Sequence, residues 1–174
     1  MNNQAPWDQD IVYTRYVLWF VYACVIYSFI GFSWGAIMGG VAELRHFVDG
    51  TANGKLIVRA HTHVNLLGWV EMAIFASIYF VVPRLVRRPI YSVTLVKAHF
   101  WIHNFGLIGM VLLFTAAGVI SGVAQNQDSG ANLELIIRPF MAAMGIFGSL
   151  VLLANFIWGY NIFRTCIGWT KGRT

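Results

Sequence analysis

The stretch AHTHVNLLGWVEMAIFASIYFVVPRL, residues 60–85, decides the fold class of this chain. It is apolar over more than the roughly 20 residues that a helix needs to cross a bilayer. Four polar or ionisable side chains lie near one end of it: His61, His63, Asn65 and Glu71. Such side chains are costly in hydrocarbon, and those found there are usually functional. The stretch therefore predicts a membrane-spanning helix that carries a site.

Composition extends this prediction to the whole chain of 174 residues. Apolar residues make up 58% of it and charged residues 11%, whereas an ordinary soluble domain carries roughly 25% charged residues. These values, with a mean hydropathy of +0.65, exclude a disordered chain and argue against a water-soluble globule. The two cysteines, Cys24 and Cys166, are too far apart in sequence to form a metal or disulfide motif.

Four segments are long and apolar enough to span a bilayer, at about residues 12–44, 59–82, 95–123 and 133–163. We predict an all-α bundle of four transmembrane helices, forming a single domain over residues 1–174. Glycines at nearly four-residue spacing are expected to let these helices approach one another closely. They are Gly31, Gly35, Gly39 and Gly40 in the first span, Gly106 and Gly109 in the third, and Gly145 and Gly148 in the fourth.

The charges of the loops predict the orientation of the bundle. Basic residues without acidic neighbours follow the second and fourth spans: Arg84, Arg87, Arg88 and Lys97, then Arg164, Lys171 and Arg173. The other two loops mix both signs. Because basic loops stay on the cytoplasmic side, we expect both termini in the cytoplasm and a bacterial-type inner membrane as the location. The net charge of +5 then reflects topology, and no nucleic-acid partner is expected.

His61 and His63 are separated by one residue, which places them about 200° apart around a helix. They cannot easily share one metal ion, but each can serve a different ligand on its own flank of the helix. Imidazole is a common axial ligand of haem iron, so two haems flanking one helix would explain the spacing. The alternative is that both are polar residues at the water interface, bonded to loop carbonyls.

His99 and His103 are four residues apart and lie on one face of the third span. This spacing suits a divalent metal with further ligands, or one haem ligand beside a propionate or hydrogen-bond partner. In the alternative interpretation, His99 extends to the cytoplasmic interface beside Lys97, while His103 bonds to another helix.

A family resemblance adds to these observations. Residues 60–85 are similar to the tenth transmembrane helix of subunit I of the haem-copper oxidases, in particular the C-type cytochrome oxidases and nitric oxide reductases. The shared features are the His-x-His pair, the Gly-Trp step, the later tyrosine and the Val-Pro-Arg-Leu ending. The stretch HFWIHNFGLIGMVLLFTAAGV, residues 99–119, looks like the following helix. The chain thus resembles the C-terminal four-helix third of that subunit.

The resemblance implies that His61 is the proximal ligand of a high-spin haem and that His63 ligates a low-spin haem. Haem b is the expected cofactor, because the sequence has no Cys-x-x-Cys-His motif for covalent attachment. The helices that supply the other metal ligands in the family have no counterpart here. A complete oxidase from this chain alone is therefore not expected, and whether it is an enzyme stays open.

Further candidates lie around this pair. Arg45 and Arg59 are expected on the same outer side, where guanidinium groups can pair with haem propionates or anchor the helices at the interface. His46 lies just beyond the first span. Glu71, about two turns deeper than His63, either handles protons or bonds a neighbouring helix.

Three functions are compatible with these features. The first is a haem b-binding membrane protein for electron transfer, with a redox partner protein, or for binding O2 or NO. The second is a subunit of a split terminal oxidase or nitric oxide reductase, and the third is a non-redox assembly or haem-handling factor. A homo-oligomer with haem at the protomer interfaces is expected, a trimer in preference to a dimer, because rotation closes repeated contacts into rings.

Overall fold

The computed structural model describes residues 11–170, and the side chains of residues 13–167. Lys171 and Arg173, two of the basic residues that predict the orientation, lie outside this range. The described chain consists of six α-helices and one π-helical segment. The helices are α1 (Ile11–Gly40), α2 (Ala42–Gly50), α3 (Lys55–His63), α4 (Glu71–Val86), α5 (Val93–Gln127) and α6 (Leu133–Thr170), and the π-helical segment, Val64–Val70, joins α3 to α4.

Four helical stretches are long and apolar enough to cross a membrane: Tyr13–Gly40, Lys55–Val86, Val93–Gln127 and Leu133–Ile167. The predicted all-α bundle of four spans is therefore confirmed. With four spans, α2 and the turn before α6 lie at one end of the bundle, which we call the α2 end. The segment 87–92 lies at the opposite end. Which end faces the cytoplasm stays a prediction from the loop charges.

The first span is shorter than predicted, since α1 ends at Gly40 and not near residue 44. The nine residues that follow form a separate helix, α2, with polar and apolar residues on different faces. Val48 on its apolar face is buried, and the Phe47 ring packs against α5 where Gly122 has no side chain. This short helix therefore lies on the end of the bundle rather than extending the span.

The second span contains a π-helical segment immediately after His63. A π-helical turn is wider than an α-helical turn, and such turns are frequent at functional sites. Gly68 in this segment allows the Tyr27 ring of α1 to approach closely, since a Cβ atom there would lie 2.6 Å from Tyr27 Cγ. The wider turn changes the faces that α3 and α4 present, so the histidines of α3 and the polar residues of α4 point to different neighbours.

The core is aromatic and lies between α1, α4 and α5. Phe20, Phe75 and Tyr79 are essentially inaccessible at its centre. The most extensive contact between two helices is that of α5 with α6. Large apolar side chains are exposed around the outside, for example Phe29, Leu112 and Phe156, as expected of a surface that faces lipid.

The predicted packing glycines differ in whether another helix or its side chains lie against them. Gly31 and Gly35 on α1 accept the side chains of Asn65 and His61, and Gly106 and Gly109 on α5 lie against α6. The prediction that these four allow close helix packing is confirmed.

The prediction is wrong for three others, because a Cβ atom at Gly39, Gly40 or Gly145 would meet nothing within 4 Å. At Gly148 it would make only an ordinary contact, 3.8 Å from the Met110 sulfur. Spacing alone does not distinguish a glycine that faces a helix from one that faces outward.

Candidate functional site: a histidine pair at the rim and a second pair in the core

His61 and His63, which we call the rim pair, lie in the last turn of α3 at the α2 end and are half-buried. Their side chains point to different helices. The His61 ring lies against α1, beside Gly35 and with its centroid 6.5 Å from that of Trp34. The His63 ring faces α5, 5.1 Å from the Phe114 ring. The two side chains therefore point in different directions, as their spacing predicts.

A hydrogen bond fixes the tautomer of His63. Its Nδ1 lies 2.7 Å from the carbonyl oxygen of Arg59, one turn earlier. A carbonyl oxygen only accepts hydrogen bonds, so Nδ1 carries the hydrogen and Nε2 keeps its lone pair. Metal-ligating histidines commonly make such a bond, because it holds the ring in place and leaves the second nitrogen to coordinate. His63 is thus a suitable axial ligand.

His61 is held differently. The Asn65 amide nitrogen donates to the His61 carbonyl at 2.9 Å and lies 3.3 Å from His61 Nδ1. In this arrangement Nδ1 accepts, so Nε2 carries the hydrogen. Coordination through Nε2 would require the Asn65 amide to turn, so that its oxygen accepts from Nδ1. His61 is therefore less ready to coordinate iron than His63.

His61 lines a cleft of about 270 Å³ at the α2 end, between the end of α1, α2 and α3. Arg45 and Asp49 of α2 line the same cleft, and Arg45 donates a hydrogen bond to the Gly39 carbonyl at 3.4 Å. Arg59 is exposed on α3, and its carbonyl positions His63. The structure thus places both predicted arginines at the rim with the histidines. His46 is exposed on α2 and is not part of the cleft lining.

Asp49 adds a negative charge beside this cleft. The Lys55 ammonium donates a hydrogen bond to its carboxylate and forms an ion pair with it. That bond and the charge of Lys55 lower the pKa of Asp49, with smaller contributions from Arg45 and His46. The rim is therefore a polar surface of mixed charge.

His99 and His103, which we call the core pair, lie on α5 and have no accessible surface. The Phe75 ring packs edge-on against both of them, at centroid distances of 4.3 Å and 5.4 Å. The interpretation that His99 extends to the interface beside Lys97 is wrong, because aromatic rings enclose it. His103 bonds to another helix, since its Nε2 lies 3.1 Å from the carbonyl oxygen of Leu67 in the π-helical segment.

Glu71 belongs to the surroundings of the core pair. One carboxylate oxygen lies 3.8 Å from His103 Nε2, and the side chain of Asn155 on α6 lies beside the carboxyl group. Glu71 thus contacts two neighbouring helices. His103 and Phe114, the α5 neighbour of His63, are eleven residues apart, which is about 16 Å along the helix. The structure therefore does not bring the rim pair and the core pair into one site.

Sequence reasoning missed the partners of the core pair. The Tyr79 hydroxyl lies 3.1 Å from His99 Nδ1, and Asn161 on α6 lies beside that hydroxyl. Glu71, Phe75 and Tyr79 recur every fourth residue, so they share one helix face. This periodicity was the available signal for Tyr79, whereas nothing in the sequence links Asn161 to it.

Across the described residues, 11–170, no three His, Cys, Asp or Glu side chains are grouped so that they could hold a metal ion. The core pair therefore has no third ligand of these types for the divalent metal that its spacing suggested. A haem at the rim pair would need none, because a porphyrin supplies the other ligands of its iron and the protein only the axial ones.

A family model and several known proteins match this chain. The family model described as cytochrome c and quinol oxidase polypeptide I matches residues 4–151. The chain belongs to this family. It is 29% identical over 134 residues to cytochrome c oxidase subunit 1 of Rhodobacter capsulatus, an alignment covering 72% of this chain and 24% of the relative.

Two further relatives extend the comparison. A cytochrome c oxidase subunit 1 homolog of Agrobacterium tumefaciens is 27% identical over 97% of this chain and 32% of its own length. A cbb3-type cytochrome c oxidase subunit of Stutzerimonas stutzeri is 28% identical over 72% of this chain and 27% of its own length. The chain thus spans between about a quarter and a third of these relatives, and corresponds to part of a haem-copper oxidase subunit I.

Proposed function

We propose that this membrane protein binds haem b at the rim pair, and that it serves electron transfer or the binding of a diatomic gas, O2 or NO. The observation that carries the proposal is the hydrogen bond from His63 Nδ1 to the Arg59 carbonyl, which leaves Nε2 available as an axial ligand. Family membership supports it, because members of this family bind haem. His61, on the other flank of α3, is the proposed ligand of a second haem.

Each rim residue has a defined task in this proposal. The Arg59 carbonyl holds the His63 ring in place for coordination. His61 can coordinate through Nε2 only after the Asn65 amide turns. Arg45 and the exposed Arg59 supply guanidinium groups for two propionates, which suit bidentate hydrogen bonding. Haem iron supplies the one-electron and gas-binding chemistry. The membrane is proposed to be a bacterial inner membrane, and a redox partner protein supplies or accepts the electrons.

The position of the rim pair favours a homo-oligomer. The two rings of one chain are half-buried and point to different helices, α1 and α5, so they cannot ligate the same haem, and a six-coordinate haem at His63 would take its second axial histidine from another chain. We propose a trimer in which each haem lies between His63 of one protomer and His61 of the next. A dimer in which two copies of His63 share one haem is the alternative, and it leaves His61 without a role.

A second candidate function is a subunit of a split terminal oxidase or nitric oxide reductase. It is favoured by the part of the family subunit that the chain matches, between 24% and 32% of the length of these relatives. Partner chains would then provide the remaining metal ligands.

A reduced-minus-oxidised difference spectrum of the purified protein tests these functions. A spectrum of six-coordinate haem b is the expected result. Haem that appears only after co-expression with partner chains would favour the split enzyme, and no haem under either condition would leave a non-redox assembly or haem-handling factor. Native mass spectrometry of the same sample tests the trimer, because a monomer that carries a bis-histidine haem would contradict shared haems.

A further inference from the structure

A line of buried polar side chains runs through the bundle, and the haem proposal makes no use of it. It begins at Asn161, which bonds the backbone of Ser92 in the turn that precedes α5, and continues through Tyr79 to His99 and His103. Glu71 is at the other end of the line. Asn161, Tyr79 and both histidines have no accessible surface. Buried polar groups are costly unless they are bonded, so a continuous line of them calls for an explanation.

The hydrogen bonds along this line have a definite direction. Asn161 Oδ1 accepts from the Ser92 amide at 3.0 Å, and Asn161 Nδ2 donates to the Ser92 carbonyl at 2.9 Å. The Asn161 side chain also lies beside the Tyr79 hydroxyl. That hydroxyl has one hydrogen to donate, and His99 Nδ1, at 3.1 Å, is the acceptor that the structure describes for it. It follows that His99 Nε2 carries the imidazole hydrogen.

The other histidine has the complementary tautomer. His103 Nε2 donates to the Leu67 carbonyl, so its Nδ1 bears a lone pair. Among the buried side-chain atoms described by the structure, His99 Nε2 and His103 Nδ1 both have no hydrogen-bond partner. His99 Nε2 is a donor and His103 Nδ1 is an acceptor. The two rings are neighbours and lie perpendicular, with centroids 5.9 Å apart.

We propose that this line is a gated proton relay between the segment 87–92 and Glu71. Tyr79 gives its hydroxyl proton to His99 Nδ1 and takes a replacement from a hydronium ion that enters with water at Ser92 and leaves as neutral water. His99 releases the Nε2 proton to His103 Nδ1, and His103 passes its own Nε2 proton to the Glu71 carboxylate, 3.8 Å away. Each step breaks one O–H or N–H bond and forms another. One proton moves in all, and no electron is transferred.

Asn161 is the gate of this relay. Its amide binds both backbone groups of Ser92, and a carboxamide neither gains nor loses a proton under ordinary conditions. Water reaches the Tyr79 oxygen only when this clamp opens. The proposal does not rest on haem binding, since it uses none of the rim residues.

Hydrogen–deuterium exchange of the histidine side chains tests the relay. The full-length protein is labelled with ¹⁵N-histidine, placed in lipid bilayers and transferred to deuterium oxide, and the loss of the N–H signals of the core pair is followed by solid-state NMR. Tyr79→Phe should slow the exchange at both rings by about 100-fold, the scale on which a positioned proton donor acts. Asn161→Ala should accelerate it.

The opposite directions of these two effects separate a relay from a structural role. A variant that merely loosens the core accelerates exchange, so faster exchange in Tyr79→Phe would overturn the proposal. Tyr27→Phe is the matched control, because Tyr27 also donates a buried hydrogen bond to α5, at 2.7 Å from Asn104 Oδ1. Exchange at the core pair should be unchanged in this control. Slowing by Tyr27→Phe equal to that by Tyr79→Phe would also overturn the proposal.

Discussion

The rim pair and the core pair are both imidazole pairs, yet their surroundings differ in every respect that matters for function. The rim pair is half-buried, its rings point to different helices, and the backbone positions one of them. The core pair lies on one helix face and is enclosed by aromatic rings. Its partners are side chains of α4 and α6 and a carbonyl of the π-helical segment.

The comparison shows that spacing and surroundings decide together what a histidine pair can do. Residues separated by two positions diverge, so the rim pair can serve ligands outside its own helix. Residues separated by four positions converge, so the core pair can pass protons between its members. The π-helical segment separates the two environments, because it begins directly after His63 and its Leu67 carbonyl accepts from His103.

The largest difference between the pairs is expected in stability. Phe75→Ala removes the ring that packs against both core histidines and is only 1% exposed, and it should lower the free energy of unfolding by about 3 kcal/mol. Phe114→Ala, beside His63, should cost less because Phe114 is 9% exposed. Unfolding in mixed micelles measures both. A larger loss of unfolding free energy in Phe114→Ala than in Phe75→Ala would contradict this expectation.

A smaller effect is expected from the groove on α1 that receives His61. A Cβ atom at Gly35 would lie 2.9 Å from His61 Cε1, so Gly35→Ala must displace the ring, at a cost of about 1 kcal/mol. The His61 side-chain signals in ¹⁵N NMR should shift, while those of the core pair stay in place. Gly39→Ala, one turn further on, is the matched control, because a Cβ atom at Gly39 would meet nothing within 4 Å. Equal His61 shifts in both variants would contradict the packing.

The smallest effect concerns the charges at the rim. Lys55 lowers the pKa of Asp49, so their interaction stabilises the fold above the ordinary pKa of an aspartate. This stabilisation is lost as the pH falls through the lowered value. Lys55→Ala should raise the pKa of Asp49 toward its ordinary range, with a slight change in stability because both side chains are exposed. A titration followed by carboxyl ¹³C NMR measures the shift, and an unchanged pKa would exclude the ion pair in solution.

Most of the fold could be predicted, because four long apolar segments have few alternatives in a bilayer. Two features could not. The first is the separate helix α2. It contains charged and apolar residues in nearly equal number, so hydropathy does not mark where it begins and assigns its first residues to the first span. The π-helical segment depends on tertiary contacts, such as that of Tyr27 with Gly68, and these have no local signal.

The site was predictable to the extent that it depends on one helix. The opposite directions of His61 and His63 follow from helix geometry alone. The burial of His99 depends on Phe20, Phe75 and Tyr79 from two other helices, and the sequence does not pair these residues with it. Lys97, only two residues away, is exposed, so its charge gave a misleading indication of depth for His99.

We expect haem at the rim pair and not at the core pair. The haem content and the reduced-minus-oxidised spectrum of purified His63→Ala, measured beside His103→Leu and the unsubstituted protein, test it most directly. His63→Ala should lose most of its haem, because the proposed axial ligand is removed, whereas His103→Leu should keep its haem and its spectrum. Full haem content with an unchanged spectrum in His63→Ala would contradict the claim.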